Sequence, residues 1–159
     1  MPDVSIRAMT EQEFRAFLEN DIHDYAEEKV AAGNWTPQEA LQRSQEEHAS
    51  LLPAGLSTPH QHLYTIEFEG RGVGRVWLSS DPTTAGGSGF VYDLLVEESF
   101  RRRGIAREAM LLVEQEARRL GLKRLALHVF GNNQAARALY ENLGYTTTNI
   151  NMAKPLPPI

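Results

Sequence analysis

Residues 101–107, RRRGIAR, set four arginines around one glycine where an apolar run gives way to a helical one. A helix N-terminus leaves backbone N–H groups unpaired and carries roughly half a positive charge, which suits phosphate. Gly104 at its mouth lets a ligand approach the backbone, because no Cβ stands in the way. The arginines add mobile positive charge. Together these features make a cradle for a pyrophosphate. The competing reading is a solvated basic turn, the ordinary fate of a charge run.

Asp93 is the second group with a chemical claim. It lies in VYDLLV, an otherwise apolar stretch, and an ionisable group there needs a reason. Three roles stay open for it: general base, anchor for a substrate amine, or structural acceptor at a bulge. Glu67 and Tyr92 are alternative bases. Other candidates are weaker. EGRGVG (69–74) is glycine-rich but precedes a strand, so it reads as a hairpin turn rather than a phosphate loop. His60 and His62 can share a strand face, yet no neighbouring His, Asp or Glu completes a metal site. His23, His48 and His128 are scattered and read as surface or satisfied histidines. Ser79 and Ser80 lack a nucleophile elbow. No metal is expected.

The elements that must position these groups follow from periodicity. VSIRAM alternates as a strand. Thr10 and Glu13 form a capping box that opens a helix running to about Ala32, with Gly33 and Asn34 as its stop. Thr36, Pro37 and Glu39 start a second helix that ends near Leu51. HLYTIEF and VGRVWLS form a hairpin, DPTTAGGSG a flexible loop, and FVYDLLV a buried strand. A helix from Gly104 closes at Gly121. RLALHVF is a strand, NNQAARALYENLG a helix, and YTTTNINMAKPL a last strand. The order β-α-α-β-β-β-α-β-α-β defines an α/β domain (α+β, one mixed sheet) over residues 1–159.

Composition narrows the function classes. The chain is 42% hydrophobic and 23% charged, with no cysteine and a net charge of −5. Disulfides, thiolate metal sites and cysteine nucleophiles are excluded. Nucleic acid is not expected as a partner. No apolar run reaches the roughly 18 residues of a membrane span, and MPDVSIRAM does not read as a signal peptide; a cytoplasmic protein is expected. Charge is uneven. Residues 10–50 hold ten acids against three bases, a balance of −7, while residues 97–124 hold eight bases against five acids, +3. One end favours cations and the other anions.

Two motifs bring these readings together. RRRGIA resembles the Q/R-x-x-G-x-G/A acetyl-coenzyme-A loop of the GNAT superfamily of N-acetyltransferases, and it follows a strand ending LLV as in that family. NNQAARALYENLGY resembles the family's N-x-x-A-x-x-L-Y-x-x-x-G-F/Y segment. The resemblance is strong from Phe90 to Lys154, and the opening elements suit a GNAT-like acyl-CoA N-acyltransferase fold. Ala106, where glycine is commoner, is an accepted variant.

The resemblance implies acetyl-CoA as cosubstrate. Arg101, Arg102, Arg103, Gly104, Ile105, Ala106 and Arg107 would wrap its pyrophosphate; which arginine reaches the phosphates is open among Arg101, Arg103 and Arg107. The pantetheine arm would lie along the strand Phe90–Val96, bonded to edge amides of Leu94, Leu95 and Val96, where the strand Leu125–Phe130 splays away. Asn133 would contact the arm, its alternative being a helix N-cap. Tyr140 would face the sulfur as acid, its alternative being a core aromatic. With no cysteine to carry the acetyl group, transfer would be direct, in a ternary complex. The cleft would lie between the first two helices and the DPTTAGGSG loop, and the −7 region would favour a cationic small-molecule amine or basic peptide. A homodimer is compatible with all of this. One rival is a non-catalytic acetyl-CoA sensor on the same fold, against which Tyr140 counts. The other is a phosphate-binding kinase, which the lack of G-x-x-x-x-G-K-[S/T] opposes.

Overall fold

A computed structural model describes residues 3–82 and 87–159. The expected flexible loop DPTTAGGSG lies partly outside the described residues. The strands β1 (Val4–Ala8), β2 (Gln61–Phe68), β3 (Arg71–Ser79), β4 (Ser88–Val96) and β5 (Arg124–Leu127) form one sheet in sequence order. The first four run antiparallel and β5 joins β4 in parallel. The helices are α1 (Glu11–Ala31), α2 (Ala40–Leu51), α3 (Ile105–Arg119) and α4 (Gln134–Asn142).

Local chemistry sets most of these boundaries. The Thr10 hydroxyl accepts from Glu13 N at 3.2 Å and the Glu13 carboxylate accepts from Thr10 N at 2.9 Å, the reciprocal box that starts α1. The β2–β3 turn places Glu69 at φ 53° and Gly70 at φ 77°, both left-handed, which matches the twist of a two-residue hairpin. Helix α2 starts later than the sequence suggests. Glu39 accepts from Thr36 N at 3.2 Å, half of the expected capping box, but the Thr36 side chain does not return a bond, and residues 37–39 form a turn ahead of the helix.

Alternation along the strands builds two cores, one on each face. Val76 and Leu78 join Ile66, Val91 and the α3 residues Ile105, Ala109, Met110 and Val113. Trp77, between them, points the other way, to Leu63, Phe14 and Phe17 of the α1 side. The register slips between Trp77 and Leu78, which pair with Asp93 and Val91. Tyr92 is therefore an extra residue, a β-bulge in β4.

The chain end differs from expectation. No strand forms from YTTTNINMAKPL; residues 146–159 have no regular structure and are exposed throughout. A strand requires a paired edge, and this segment lies on none within its own chain. The strand expected over RLALHVF is cut to Arg124–Leu127, because β4 and the chain after Leu127 separate there.

Candidate active site

That separation makes the site. Pairing of β4 with β5 ends at Val91 and Leu127, so the C-terminal half of β4 has no strand partner on that side. A cavity of about 410 Å³ opens there, walled by α1 and α2, by β4 from Phe90 to Leu95, by residues 127–130 and by α4. It brings together six candidate residues named from the sequence: Tyr92, Asp93, Leu94, Leu95, Asn133 and Tyr140. The bulge decides which β4 groups reach it. By pairing Asp93 with Trp77 it turns Asp93 to the α1 face, and the Tyr92 ring follows, 4.7 Å from that of Trp77.

Asp93 is not alone. Arg75, two residues before Trp77 and on the same face, donates from Nε to Asp93 Oδ2 at 2.7 Å. Its other end lies 3.4 Å from Asp21 Oδ1 and 3.7 Å from Asp24 Oδ2. Asp21 in turn meets His48 Nε2 at 2.7 Å, and His48 Nδ1 lies 2.8 Å from the Ser44 carbonyl. Both ring nitrogens thus face acceptors. Donating to both acceptors takes the doubly protonated ring, so this geometry favours the imidazolium, a form with no vacant nitrogen to act as a base. Burial opposes that charge, yet the bonds to Asp21 and Ser44 hold its pKa above the ordinary value. The result is an alternating chain, His48–Asp21–Arg75–Asp93, that ties α2, α1, β3 and β4 together.

Burial, and then the charge of Asp21, raise the Asp93 pKa to about 7 against the pull of Arg75. Arg75 spreads one charge over three carboxylates, which is why it does not hold Asp93 fully ionised. Tyr140 is half-buried; burial and then the Asp93 charge push its phenol to about 12. It stays protonated at neutral pH and is always a donor. Asn133 is the N-cap of α4, its Oδ1 accepting from Ala136 N at 3.1 Å, so the capping role is observed. Glu67 does not join the site: it pairs with Arg7 at 3.1 Å.

The arginine loop lies past the end of β4. Gly104 takes φ 78° as the N-cap of α3, and Arg102 also takes a positive φ, 64°. A left-handed arginine stores strain of order 1–3 kcal/mol, the kind found where backbone is shaped for a ligand. The first helical bond runs from Glu108 N to Gly104 O at 3.1 Å, which leaves the amides of Ile105, Ala106 and Arg107 without intrahelical partners. The arginines divide. Arg101 is tied back, donating from Nε to Val96 O at 2.9 Å. Arg103 sits over the Phe100 ring at 5.3 Å. Arg107 lies 3.7 Å from Glu108 and remains half-exposed. Arg102 is exposed. The Val96 side chain lies in the core, so only its backbone is available to a ligand.

Sequence reasoning missed Asp21, His48 and Arg75. For Arg75 a signal existed: it is the charged residue within VGRVWLS, as Asp93 is within VYDLLV, and two opposite charges inside apolar strands invite pairing. For Asp21 and His48, 27 residues apart on two helices, the helical pattern alone carried none.

A mixed sheet that splits after its fourth strand, with a glycine-capped helix following that strand, defines an acyl-CoA N-acyltransferase fold. The model of the acetyltransferase (GNAT) family matches residues 16–145, and the chain belongs to that family as an N-acetyltransferase. It is 39% identical over 154 residues to the uncharacterised N-acetyltransferase YycN of Bacillus subtilis, covering 96% of this chain and 99% of that one. It is 35% identical over 153 residues to YdgE of the same organism, at 96% and 98% coverage. The crystal structure of YycN superposes with a TM-score of 0.93 over 98% of this chain and 99% of that one. The aminoglycoside N-acetyltransferase AAC(6')-Iy, solved with CoA, shares the fold at 17% identity and a TM-score of 0.60, with 98% of this chain and 96% of that one covered. No helix among the described residues is long and apolar enough to cross a membrane.

Proposed function

We propose that the protein transfers the acetyl group of acetyl-CoA directly to a primary amine on a cationic small molecule or basic peptide. One observation carries this reading. The unpartnered edge of β4, Tyr140 and Asn133 share a single cavity with Asp24, Glu28 and Glu47 of α1 and α2. The acyl carrier and the cation recognised by those carboxylates would therefore meet without a covalent intermediate. Asp21 and Asp93 are occupied by His48 and Arg75, and Asp24 reaches Arg75 only at 3.7 Å; Asp24, Glu28 and Glu47 line the space where the amine would enter. Burial and then the charges of Asp21 and Asp24 raise the Glu28 pKa, and a bound ammonium would relieve that repulsion.

In this reading the pyrophosphate rests on the loop 101–107, where Arg102 and Arg107 are the arginines best able to turn to it. The pantetheine arm pairs with the β4 edge at Leu94 and Leu95, and a β4 amide polarises the thioester carbonyl. A lysine-like amine is neutral in only about one molecule in 2,500 at pH 7. It loses one proton, through Asp93 or a water held by it, before its nitrogen attacks the carbonyl carbon. The C–N bond forms, the tetrahedral oxyanion collapses, and the C–S bond breaks. The nitrogen sheds its second proton and the sulfur gains one. Tyr140, with its phenol near 12, would lose its proton uphill to a thiolate whose ordinary pKa is about 8.5. Its part is to donate a hydrogen bond to the sulfur as charge develops there. His48 acts as a positioning residue, through Asp21 and Arg75, on Asp93.

The test is release of free thiol from acetyl-CoA over a panel of polyamines, aminoglycosides, basic peptides and neutral amines. Release with the cationic members is expected. Tight acetyl-CoA binding with no release from any amine would favour the non-catalytic sensor instead.

A further inference from the structure

One cation in the cavity has no counter-ion. Lys29, in the last turn of α1, lines the space together with Asp24, Glu28 and Glu47. Its Nζ lies 5.5 Å from the centroid of the Tyr25 ring and 5.5 Å from that of Trp35. Those rings stand at 87° to each other, 5.5 Å apart, and make a corner that holds the ammonium. Aromatic faces attract a cation without cancelling its charge. Arg43 gives the contrast: it lies over the same Trp35 ring, at 5.0 Å, and has Glu39 at 3.2 Å. Lys29 makes no ion pair among the described residues.

Helix geometry keeps the nearby acids off it. Asp24 and Glu28 precede Lys29 by five positions and one, whereas neighbours on a helix surface are three or four apart. Glu47 of α2 faces the Tyr25 hydroxyl instead: burial, and then that carboxylate, raise the phenol's pKa. Across the cavity stands His128, near enough for Lys29 to act on it. Burial, and then the Lys29 charge, hold its pKa below the ordinary value. The ring is therefore neutral at pH 7 and carries one N–H to donate. Among the described residues it makes no hydrogen bond. The cavity is thus bipolar, with carboxylates over one part and a cation beside a neutral donor over another.

We infer that Lys29 and His128 bind a carboxylate of the acceptor, which makes that acceptor a basic amino acid rather than a simple polyamine. This rests on the transfer reading above and narrows its acceptor class. The acceptor's charges divide over the cavity. Its carboxylate pairs with the Lys29 ammonium and accepts from the His128 ring. Its α-ammonium meets Asp24, Glu28 and Glu47. Its side-chain amine is left to reach towards Asp93, whose neighbour is Asp21. From Asp21 to Lys29 is eight residues of α1, about 12 Å of helix. A lysine-length acceptor and the four-carbon stem of Lys29 span that distance together. A polyamine would offer Lys29 only like charge.

L-lysine and cadaverine carry the same two amines and differ by the carboxylate alone. Calorimetry on the full chain, with and without saturating CoA, is expected to show lysine binding at least about 10-fold more tightly than cadaverine. Lys29→Met keeps a side chain in the aromatic corner and removes the charge. It is expected to bring the two ligands to comparable affinity with CoA binding unchanged, and Lys29→Arg to keep the preference. A merely structural role for Lys29 would move the melting temperature and leave the preference alone. Equal affinities in the parent, no binding of lysine, or a preference that survives in folded Lys29→Met overturns the inference; the parent comparison holds whether or not that variant folds. Thiol release from acetyl-CoA separates this inference from the reading beneath it. Release with cadaverine but not with lysine overturns the carboxylate site and keeps the transfer. Lysine-selective binding without release from either amine keeps the carboxylate site and overturns the transfer.

Discussion

Asp93 and Tyr140 share the cavity yet sit on opposite sides of neutrality, one at about 7 and the other at about 12. Such a separation assigns roles: the carboxylate can accept a proton near working pH while the phenol keeps its own. With Asp93 as base, kcat/KM should climb with pH through about 7 and level off above it. Asp93→Asn should lower the rate by roughly 10²–10⁴-fold and remove that limb. Tyr140→Phe keeps the ring and loses only the donor. It should lower the single-turnover rate by about 10-fold or more at every pH from 6 to 9, with cofactor affinity nearly intact. A unit-slope limb that survives Asp93→Asn would move the base elsewhere, and a parent-like rate for Tyr140→Phe would return that ring to the core.

The elements hold these groups by means that differ in how plainly the sequence declares them. The capping box of α1, the glycine ends of α3 and α4 and the hairpin turn are local, and each is legible residue by residue. The junction of β4 with α3 was legible too, because Gly104 must serve where the chain turns left-handed, at φ 78°. The β4 bulge was not: it depends on how Trp77 and Asp93 pair across two strands, and no single strand records that. The His48–Asp21–Arg75–Asp93 chain joins four elements and was hidden for the same reason. The missing last strand is a different case. YTTTNINMAKPL was expected as a strand, but a strand needs an edge to pair with, and this segment finds none within its own chain. At the β4–α3 junction the geometry sharpens one expectation. A Cβ added at Gly104 meets no atom within 4 Å, so the fold itself has room for a side chain. The left-handed backbone costs a non-glycine residue roughly 1–2 kcal/mol, and a glutamate would set a negative charge beside the α3 N-terminus. Gly104→Glu should therefore stay folded, with a slightly lower melting temperature, and lose measurable acetyl-CoA binding by calorimetry. Undiminished affinity in the folded variant would mean that the arginines only solvate a turn.

Across the whole molecule, the sheet separates two apolar cores, and the ionic chain crosses the layer between α1, α2 and β3–β4 where the site requires an opening. A cavity at the centre of a domain removes packing, and the ion pairs tie the elements around it. That arrangement makes stability depend on pH. His48 has a folded pKa above its ordinary value. The protein therefore binds that proton more tightly folded than unfolded, and the stabilisation is fully present below about pH 6.5 and lost as pH rises through the folded pKa. Asp93 acts in the same direction. Its folded pKa of about 7 lies above the ordinary carboxylate range, so folding favours its protonated form and stability falls as pH rises from about 4 through 7. The melting temperature should accordingly decline from pH 6 to pH 8.5. His48→Gln keeps a side chain able to donate to Asp21 but removes the cation, leaving Asp21 and Asp93 to share Arg75. Breaking a buried pair in this way costs about 3–5 kcal/mol, so the variant should melt well below the parent at pH 6 and show a flatter slope towards pH 8.5. Thermal unfolding of both proteins across that range decides it. Parallel curves with equal slopes would mean that His48 is neutral in the fold and that the chain of charges begins at Asp21.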